Sequence, residues 1–177
     1  SNERIVRTTM DYISNDIVSG RPVDDIVAVI QWTHAHRFEY WDEEKDCWVL
    51  AMPSSVITSK KLSYEESKSF QKFTDVVYTN LSDKTHAQRY WTQVVALASF
   101  LENHNIPYWF TNLGADHYNF LEPWQQQYLA KNVRWIQDGR NYLINYMFRD
   151  QHKSGSSHPS KLGHQQIAQT IHSHIKD

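Results

Sequence analysis

The sequence predicts an α/β fold built on a parallel β-sheet. Two short apolar segments, 26–33 and 106–113, have the β-branched and aromatic composition of buried strands. Between them, residues 85–103 place Trp91, Val94 and Leu101 on one face of a long helix. Because strand–helix–strand connections join parallel neighbours, these two strands should lie parallel in one sheet.

The first elements of the chain lead into that sheet. Residues 3–19 have helical periodicity, and Gly20 supplies a stop before Arg21-Pro22. The run from Ile26 to Thr33 is almost continuously apolar, which is typical of a strand buried on both faces. A polar cluster from Thr33 to Glu39 follows it, at the carboxyl end where ligands bind in open α/β sheets.

The remaining elements are predicted from local pattern. Residues 40–84 form an insertion, with a hairpin around the acidic turn 42–46 and one helix over 63–80. Thr85 is a candidate cap for the helix that follows the insertion. Residues 122–147 are helical or mixed, 150–157 form a polar loop, and the stripe from Leu162 to Ile175 forms a buried C-terminal helix.

Composition excludes several classes of function. With 177 residues, 40% of them hydrophobic and 21% charged, the chain fits one domain with a sizeable core. The net charge of −2, without a basic stripe, gives no support for nucleic-acid binding. No apolar run is long enough for a membrane span, and no signal peptide is visible. Cys47, the single cysteine, excludes a disulfide framework and a thiolate metal site, and no cofactor is expected.

The 7 Trp and 10 Tyr residues have two interpretations. Such side chains line carbohydrate-binding surfaces, and they also fill protein cores. The core interpretation is the more common one.

The segment from Ser156 to His164 predicts a loop that holds a histidine at the start of a helix. Ser160 is a suitable N-cap, and Pro159 keeps the preceding backbone extended. His158 would therefore have a fixed position, and imidazole is the usual general base near neutral pH. The alternative is a structural loop histidine that donates a hydrogen bond to a backbone carbonyl.

The motif His158-Pro-x-x-x-Gly-His164, followed by a helix, resembles the last block of the SGNH (GDSL-type) hydrolase superfamily. The resemblance implies a three-layer α/β/α sandwich over residues 1–177 and a catalytic base at His158. Ser1-Asn2 is similar to the turn of the second SGNH block, which implies an oxyanion or substrate-binding role for Asn2 and the Thr33 end. The Trp32-Thr33 and Arg37-Phe38-Glu39 arrangement is similar to a divergent group associated with tailed phages.

The sequence departs from the SGNH pattern in three places. It contains no Gly-Asp-Ser, so the nucleophile block is expected upstream of residue 1, in an N-terminally incomplete domain. No Gly-x-Asn-Asp follows the strand at 26–33. Gly155 stands where an aspartate precedes the catalytic histidine.

Arg37 and Glu39 are further candidates for substrate binding. On a strand that continues past Thr33, alternate residues share a face, so both side chains would point into the cleft. Arg37 could then clamp a carboxylate, a sulfate or a sugar hydroxyl, or the two could form a solvated ion pair. His34 and His36 have the spacing of metal ligands but lack a third partner, so no metal is expected.

Two functions follow as hypotheses. The first is an SGNH-like hydrolase of small-molecule or glycan esters, including acetyl esters of polysaccharides. The second is a catalytically inactive module of a phage virion or surface assembly, in which Arg37, Trp41 and Trp48 contact glycan or a protein partner. Both hypotheses leave the cellular location open between two alternatives, virion-associated and cytoplasmic.

Overall fold

A computed structural model describes residues 1–43, 46–51, 72, 81–112, 116–136 and 160–176. Its helices are α1 (Asn2–Val18), α2 (Asp83–Asn103), α3 (Pro123–Asn132) and α4 (Lys161–Lys176). Its strands are β1 (Ala28–Trp32), β2 (Phe38–Asp42), β3 (Cys47–Ala51) and β4 (Tyr108–Asn112). Two short 3₁₀ helices cover Val23–Asp25 and Asp116–Phe120. No helix within these ranges is long and apolar enough to cross a membrane.

The two predicted strands pair in parallel, as the strand–helix–strand pattern requires. Ala28 is opposite Tyr108 and Trp32 is opposite Asn112. On its other side β4 forms a parallel bridge with Trp135, through hydrogen bonds of 2.8 Å from Phe110 N to Arg134 O and from Ile136 N to Phe110 O. The α/β class and the parallel sheet are therefore confirmed.

Helices α1 and α2 pack together, and the core lies between them and one face of this sheet. Trp32 is fully buried there, with edge-to-face contacts to Phe110 (ring centroids 5.2 Å apart) and Tyr90 (6.0 Å). The predicted apolar face of α2 supplies Val94 and Leu101, both fully buried. Aromatic residues thus build the core, as the more common interpretation of the composition predicts.

The prediction that β1 is buried on both faces is wrong. Ala28 and Trp32 face the core, whereas Val27 and Val29 are 51% and 38% exposed. Alternate residues of a strand point to opposite faces, so the helices that cover Ala28 and Trp32 cannot also cover Val29.

The predicted α1 helix is confirmed, with local signals at both ends. The Ser1 side chain accepts a hydrogen bond from Arg4 N, which caps the first turn. Gly20 adopts φ +86 just after the C-cap residue Ser19, a conformation that residues with a Cβ rarely adopt. Helix α2 is capped by Ser82, whose hydroxyl accepts from Thr85 N, rather than by Thr85 as the sequence suggested.

The predicted hairpin is confirmed as β2 and β3, which pair antiparallel with Trp41 opposite Trp48. The expected helix over 63–80 and the polar loop over 150–157 lie outside the described residues, apart from Lys72.

The C-terminal helix begins where the sequence predicted. The Ser160 hydroxyl accepts a hydrogen bond from Gly163 N at 3.2 Å and therefore caps α4. The stripe is less buried than expected: Ile167 and Ile171 are half-buried, and Leu162 is 49% exposed.

Candidate functional site

The carboxyl ends of β1 and β4 and the first turn of α1 meet at one edge of the sheet. Trp32 and Asn112 are the last residues of the two strands and are paired in register. Asn2, the first residue of α1, is 2% exposed and contacts the residue after β1. This is the edge at which open α/β sheets bind ligands.

Asn2 and Thr33 are held together by two reciprocal hydrogen bonds. Thr33 N donates to Asn2 Oδ1 at 2.9 Å, and Asn2 Nδ2 donates to Thr33 O at 3.2 Å. One buried amide side chain therefore satisfies both main-chain groups of Thr33. The Thr33 N–H already has this acceptor, so the role of Asn2 here is to hold the Thr33 backbone in position.

At the end of β4, the Asn112 Oδ1 atom accepts a hydrogen bond from the Tyr90 hydroxyl at 2.8 Å. Both residues are buried. Burial is the main cause that raises the pKa of Tyr90 far above its usual value. Tyr90 is thus a neutral donor that fixes the orientation of the Asn112 amide.

The predicted continuation of β1 through Arg37 and Glu39 is wrong. The strand ends at Trp32, and Arg37 N donates to His34 O at 3.2 Å in a turn. Arg37 is therefore in the turn and Glu39 in β2, so the two do not share a strand face. The polar residues His34 to Arg37 favour this turn over an extended strand.

Glu39 points to α1 instead of into a cleft. Its side chain is 1% exposed, bonded to Arg7 Nη2 at 3.1 Å, with Arg4 Nε 3.9 Å away. Arg7 also lies over the Trp48 ring, 4.3 Å from its centroid. The Glu39 carboxylate therefore attaches the hairpin to α1 and is not exposed to a substrate.

A second carboxylate attaches α1 to α2. Glu3 forms an ion pair with Arg89 and accepts a hydrogen bond from Gln93 Nε2 at 2.8 Å. Arg89 also stacks on the Phe38 ring, 3.6 Å from its centroid. Ion pairs on both sides of the first turn of α1 thus fix the position of Asn2.

His86 is a residue of this edge that the sequence reasoning missed. It lies in the first turn of α2 and is 5% exposed, with ring centroids 5.6 Å from Phe38 and 6.2 Å from His36. Desolvation is the main cause that lowers its pKa, with Arg89 and His36 adding to the effect, while a hydrogen bond to the Ala35 backbone opposes it. Its position four residues before Tyr90, on the same buried face, is the signal that could have revealed it.

Four uncharged polar atoms near the ends of the two strands are buried without a hydrogen-bond partner among the described residues. They are Trp32 Nε1, Thr33 Oγ1, Thr111 Oγ1 and His86 Nδ1. Buried polar atoms are normally satisfied by protein or water. This edge therefore retains hydrogen-bonding capacity for buried water.

His34 and His36, for which no metal is expected, contact each other. The rings of His34 and His36 are stacked, with centroids 5.3 Å apart. Among the described residues, no group of three or more His, Cys, Asp or Glu side chains could hold a metal ion.

His158, the predicted base, lies outside the described residues. The helix that follows it begins at Lys161, directly after the cap at Ser160. The position of His158 relative to Asn2 and Thr33 thus stays a prediction.

Comparison with protein families matches residues 1–176 to a family described as a family of unknown function (DUF6071). No curated protein and no solved structure matches the chain.

Proposed function

Because the chain belongs to DUF6071, a family of unknown function, we propose a function from the geometry: an SGNH-like domain that hydrolyses esters. In this proposal the sheet is the centre of a three-layer α/β/α sandwich. The order β1, β4 and Trp135 across the sheet supports it, since these three segments lie side by side in parallel and in the order in which they occur in the chain.

The observation that carries the proposal is the Asn2–Thr33 pair. The SGNH resemblance assigns the turn at Ser1-Asn2 to the second block, and this turn lies against the carboxyl end of β1. Backbone groups at a helix N-terminus next to a strand end are suited to stabilising a developing oxyanion. The unpartnered Thr33 Oγ1 adds a hydrogen-bonding group at the same place.

The reaction would be acyl transfer through a serine. His158 takes the proton from the serine hydroxyl, the serine oxygen attacks the ester carbonyl, and the alkoxide leaves with that proton. Water then hydrolyses the acyl-enzyme with the same histidine as base. The 177 residues contain no Gly-Asp-Ser, so the proposal requires the serine from polypeptide outside them.

The test is hydrolysis of p-nitrophenyl acetate and acetylated glycans by the full-length natural protein. We expect His158→Ala to lower kcat by at least about 100-fold, the usual contribution of a general base. His164→Ala is the matched control, because His164 is exposed on α4. Equal activity of the parent and His158→Ala would refute the role of His158.

A second candidate is a catalytically inactive, glycan-binding module of a virion or surface assembly. Trp41 and Trp48 favour it: they are 44% and 41% exposed and form a cross-strand pair with centroids 5.6 Å apart. Exposed tryptophans rigidly held on a hairpin are suited to stacking on sugar rings.

The two candidates predict different results. The module predicts no esterase turnover and a loss of glycan-array binding in a Trp41→Ala, Trp48→Ala double variant. Measured turnover that depends on His158, with no glycan binding by the hairpin, would exclude it. A Gly-Asp-Ser block in the gene just before Ser1 would favour the hydrolase, and its absence the module.

A further inference from the structure

A second exposed aromatic surface lies on α2 and α3, away from the hairpin. Trp124 and Tyr128 are one helical turn apart on α3 and are 60% and 42% exposed. Trp91 of α2 lies beside both, edge-to-face, with centroid distances of 5.5 Å to Trp124 and 5.2 Å to Tyr128. We call these three residues the aromatic platform. Contact with Trp91 holds the two exposed rings in place, so little side-chain entropy remains to be lost on binding.

The surroundings of the platform are nearly neutral. Gln88 and Gln125 bond to each other at 2.9 Å between α2 and α3, and Gln125 is buried, so the exposed amide next to the platform is that of Gln127. The charges of Lys84 and Glu122 neutralise each other at 2.7 Å. Lys131 is the one charged residue within α3. The platform therefore suits an uncharged ligand better than a strongly charged one.

The platform also flanks the candidate site. Helix α2 starts at the carboxyl edge of the sheet, where His86 contacts the turn after β1, and Trp91 follows within its first turns. His86 and Trp91 are five residues apart on this helix, about 8 Å along its axis. A polymeric ligand is the kind of molecule that can contact both places at once.

We propose that the aromatic platform is a binding subsite for pyranose rings of a neutral polysaccharide, the molecule whose ester groups reach the carboxyl edge. One face of a pyranose presents C–H groups that pack on aromatic rings, and its rim presents hydroxyls that can bond to an exposed amide such as that of Gln127. The polysaccharide's role as substrate rests on the proposed esterase function, whereas binding to the platform does not.

The test separates binding from hydrolysis. Titration calorimetry of the full-length protein would use three neutral probes: cellohexaose, xylohexaose and chitohexaose. We expect at least one to bind, and Trp124→Ala to weaken it at least roughly tenfold, the effect of losing one aromatic anchor. Tyr12→Ala is the matched control, an exposed aromatic residue on α1, and should bind like the parent.

Hydrolysis distinguishes the two proposals. If the esterase proposal is also correct, Trp124→Ala raises KM for an acetylated oligosaccharide and leaves turnover of p-nitrophenyl acetate unchanged. No turnover in the parent, with binding lost in Trp124→Ala, refutes the esterase and supports the platform. Binding of none of the probes, or parent-like binding by Trp124→Ala, overturns the platform.

Discussion

Asn2 and Thr33 are 31 positions apart in sequence, and yet the Asn2 amide forms both main-chain hydrogen bonds of Thr33. In a regular sheet, a neighbouring strand would satisfy those two groups. Here a side chain at the start of α1 takes that role at the point where β1 ends. The candidate site is therefore defined by a contact between a helix terminus and a strand terminus.

Replacing Asn2 with alanine should destabilise the protein. The buried N–H and C=O of Thr33 would lose their partners, and each such loss costs about 1–3 kcal/mol. Denaturant unfolding of Asn2→Ala and of Asn15→Ala measures this. Asn15 is exposed on the same helix, so its variant should differ from the parent by less than about 0.5 kcal/mol. Equal free energies of unfolding for both variants would contradict the structural role of Asn2.

Glu39 and Arg7 should be energetically coupled. The Glu39 side chain is almost fully buried while Arg7 is one-third exposed, so the pair is only partly screened by solvent. A double-mutant cycle with Glu39→Gln and Arg7→Ala should give a coupling free energy of about 0.5–3 kcal/mol. Lys84 and Glu122 form the control pair, which is more exposed and should couple less strongly. If Glu39 instead binds substrate, Glu39→Gln should weaken ligand binding and show no coupling to Arg7→Ala.

His86 should make stability depend on pH. Because the pKa of His86 is lowered in the folded state, the unfolded chain binds more protons as pH falls below about 6.5. The stability that neutral His86 contributes is therefore fully present above that pH. It is lost as the pH falls from there through the lowered pKa of the folded state. The free energy of unfolding at pH 8 and pH 5 should show a smaller difference in His86→Gln than in the parent. His172→Gln, at an exposed position of α4, should keep the parent's pH dependence.

Ser160 should stabilise the start of α4 by about 1 kcal/mol, since its hydroxyl caps Gly163 N. Ser160→Ala loses this bond, and Ser160→Asp restores an acceptor at the N-terminus of the helix. Amide hydrogen exchange in the first turn of α4 would report the loss and the recovery. Ser173→Ala, near the C-terminal end of the same helix, should leave that exchange unchanged.

The elements with a strong local signal were predictable from sequence. The helices α1 and α2, the parallel pairing of β1 and β4, and the cap at Ser160 followed from periodicity, chain order and capping chemistry. The helices and the cap depend on residues close together in the chain, whereas the pairing of β1 with β4 follows from the order of the elements, since Ala28 and Tyr108 are 80 positions apart. Neither kind of signal requires knowledge of the tertiary contacts.

The composition of the site was harder to predict because it depends on contacts between distant residues. Glu39 was predicted to bind substrate, but it forms an ion pair with Arg7, 32 positions earlier in the chain. His86 has no distinctive local signal, because its surroundings are formed by distant residues that include His36 and Phe38. Asn2 and Thr33 were predicted as site residues from the resemblance to SGNH hydrolases, and their functional role stays a prediction. Their contact joins residues 31 positions apart, which no local pattern indicates.

The exposed valines of β1 have a consequence for handling the protein. Val27 and Val29 lie beside a groove of about 400 Å³ bordered by Thr8, Tyr12 and Ile13 of α1, and the described part of the sheet gives β1 one strand neighbour, β4. The segment 26–30 has no charge and no proline, the two features with which natural edge strands resist self-association. Concentrated preparations of this chain should therefore precipitate through β1, and a lysine at position 29 should keep them dispersed.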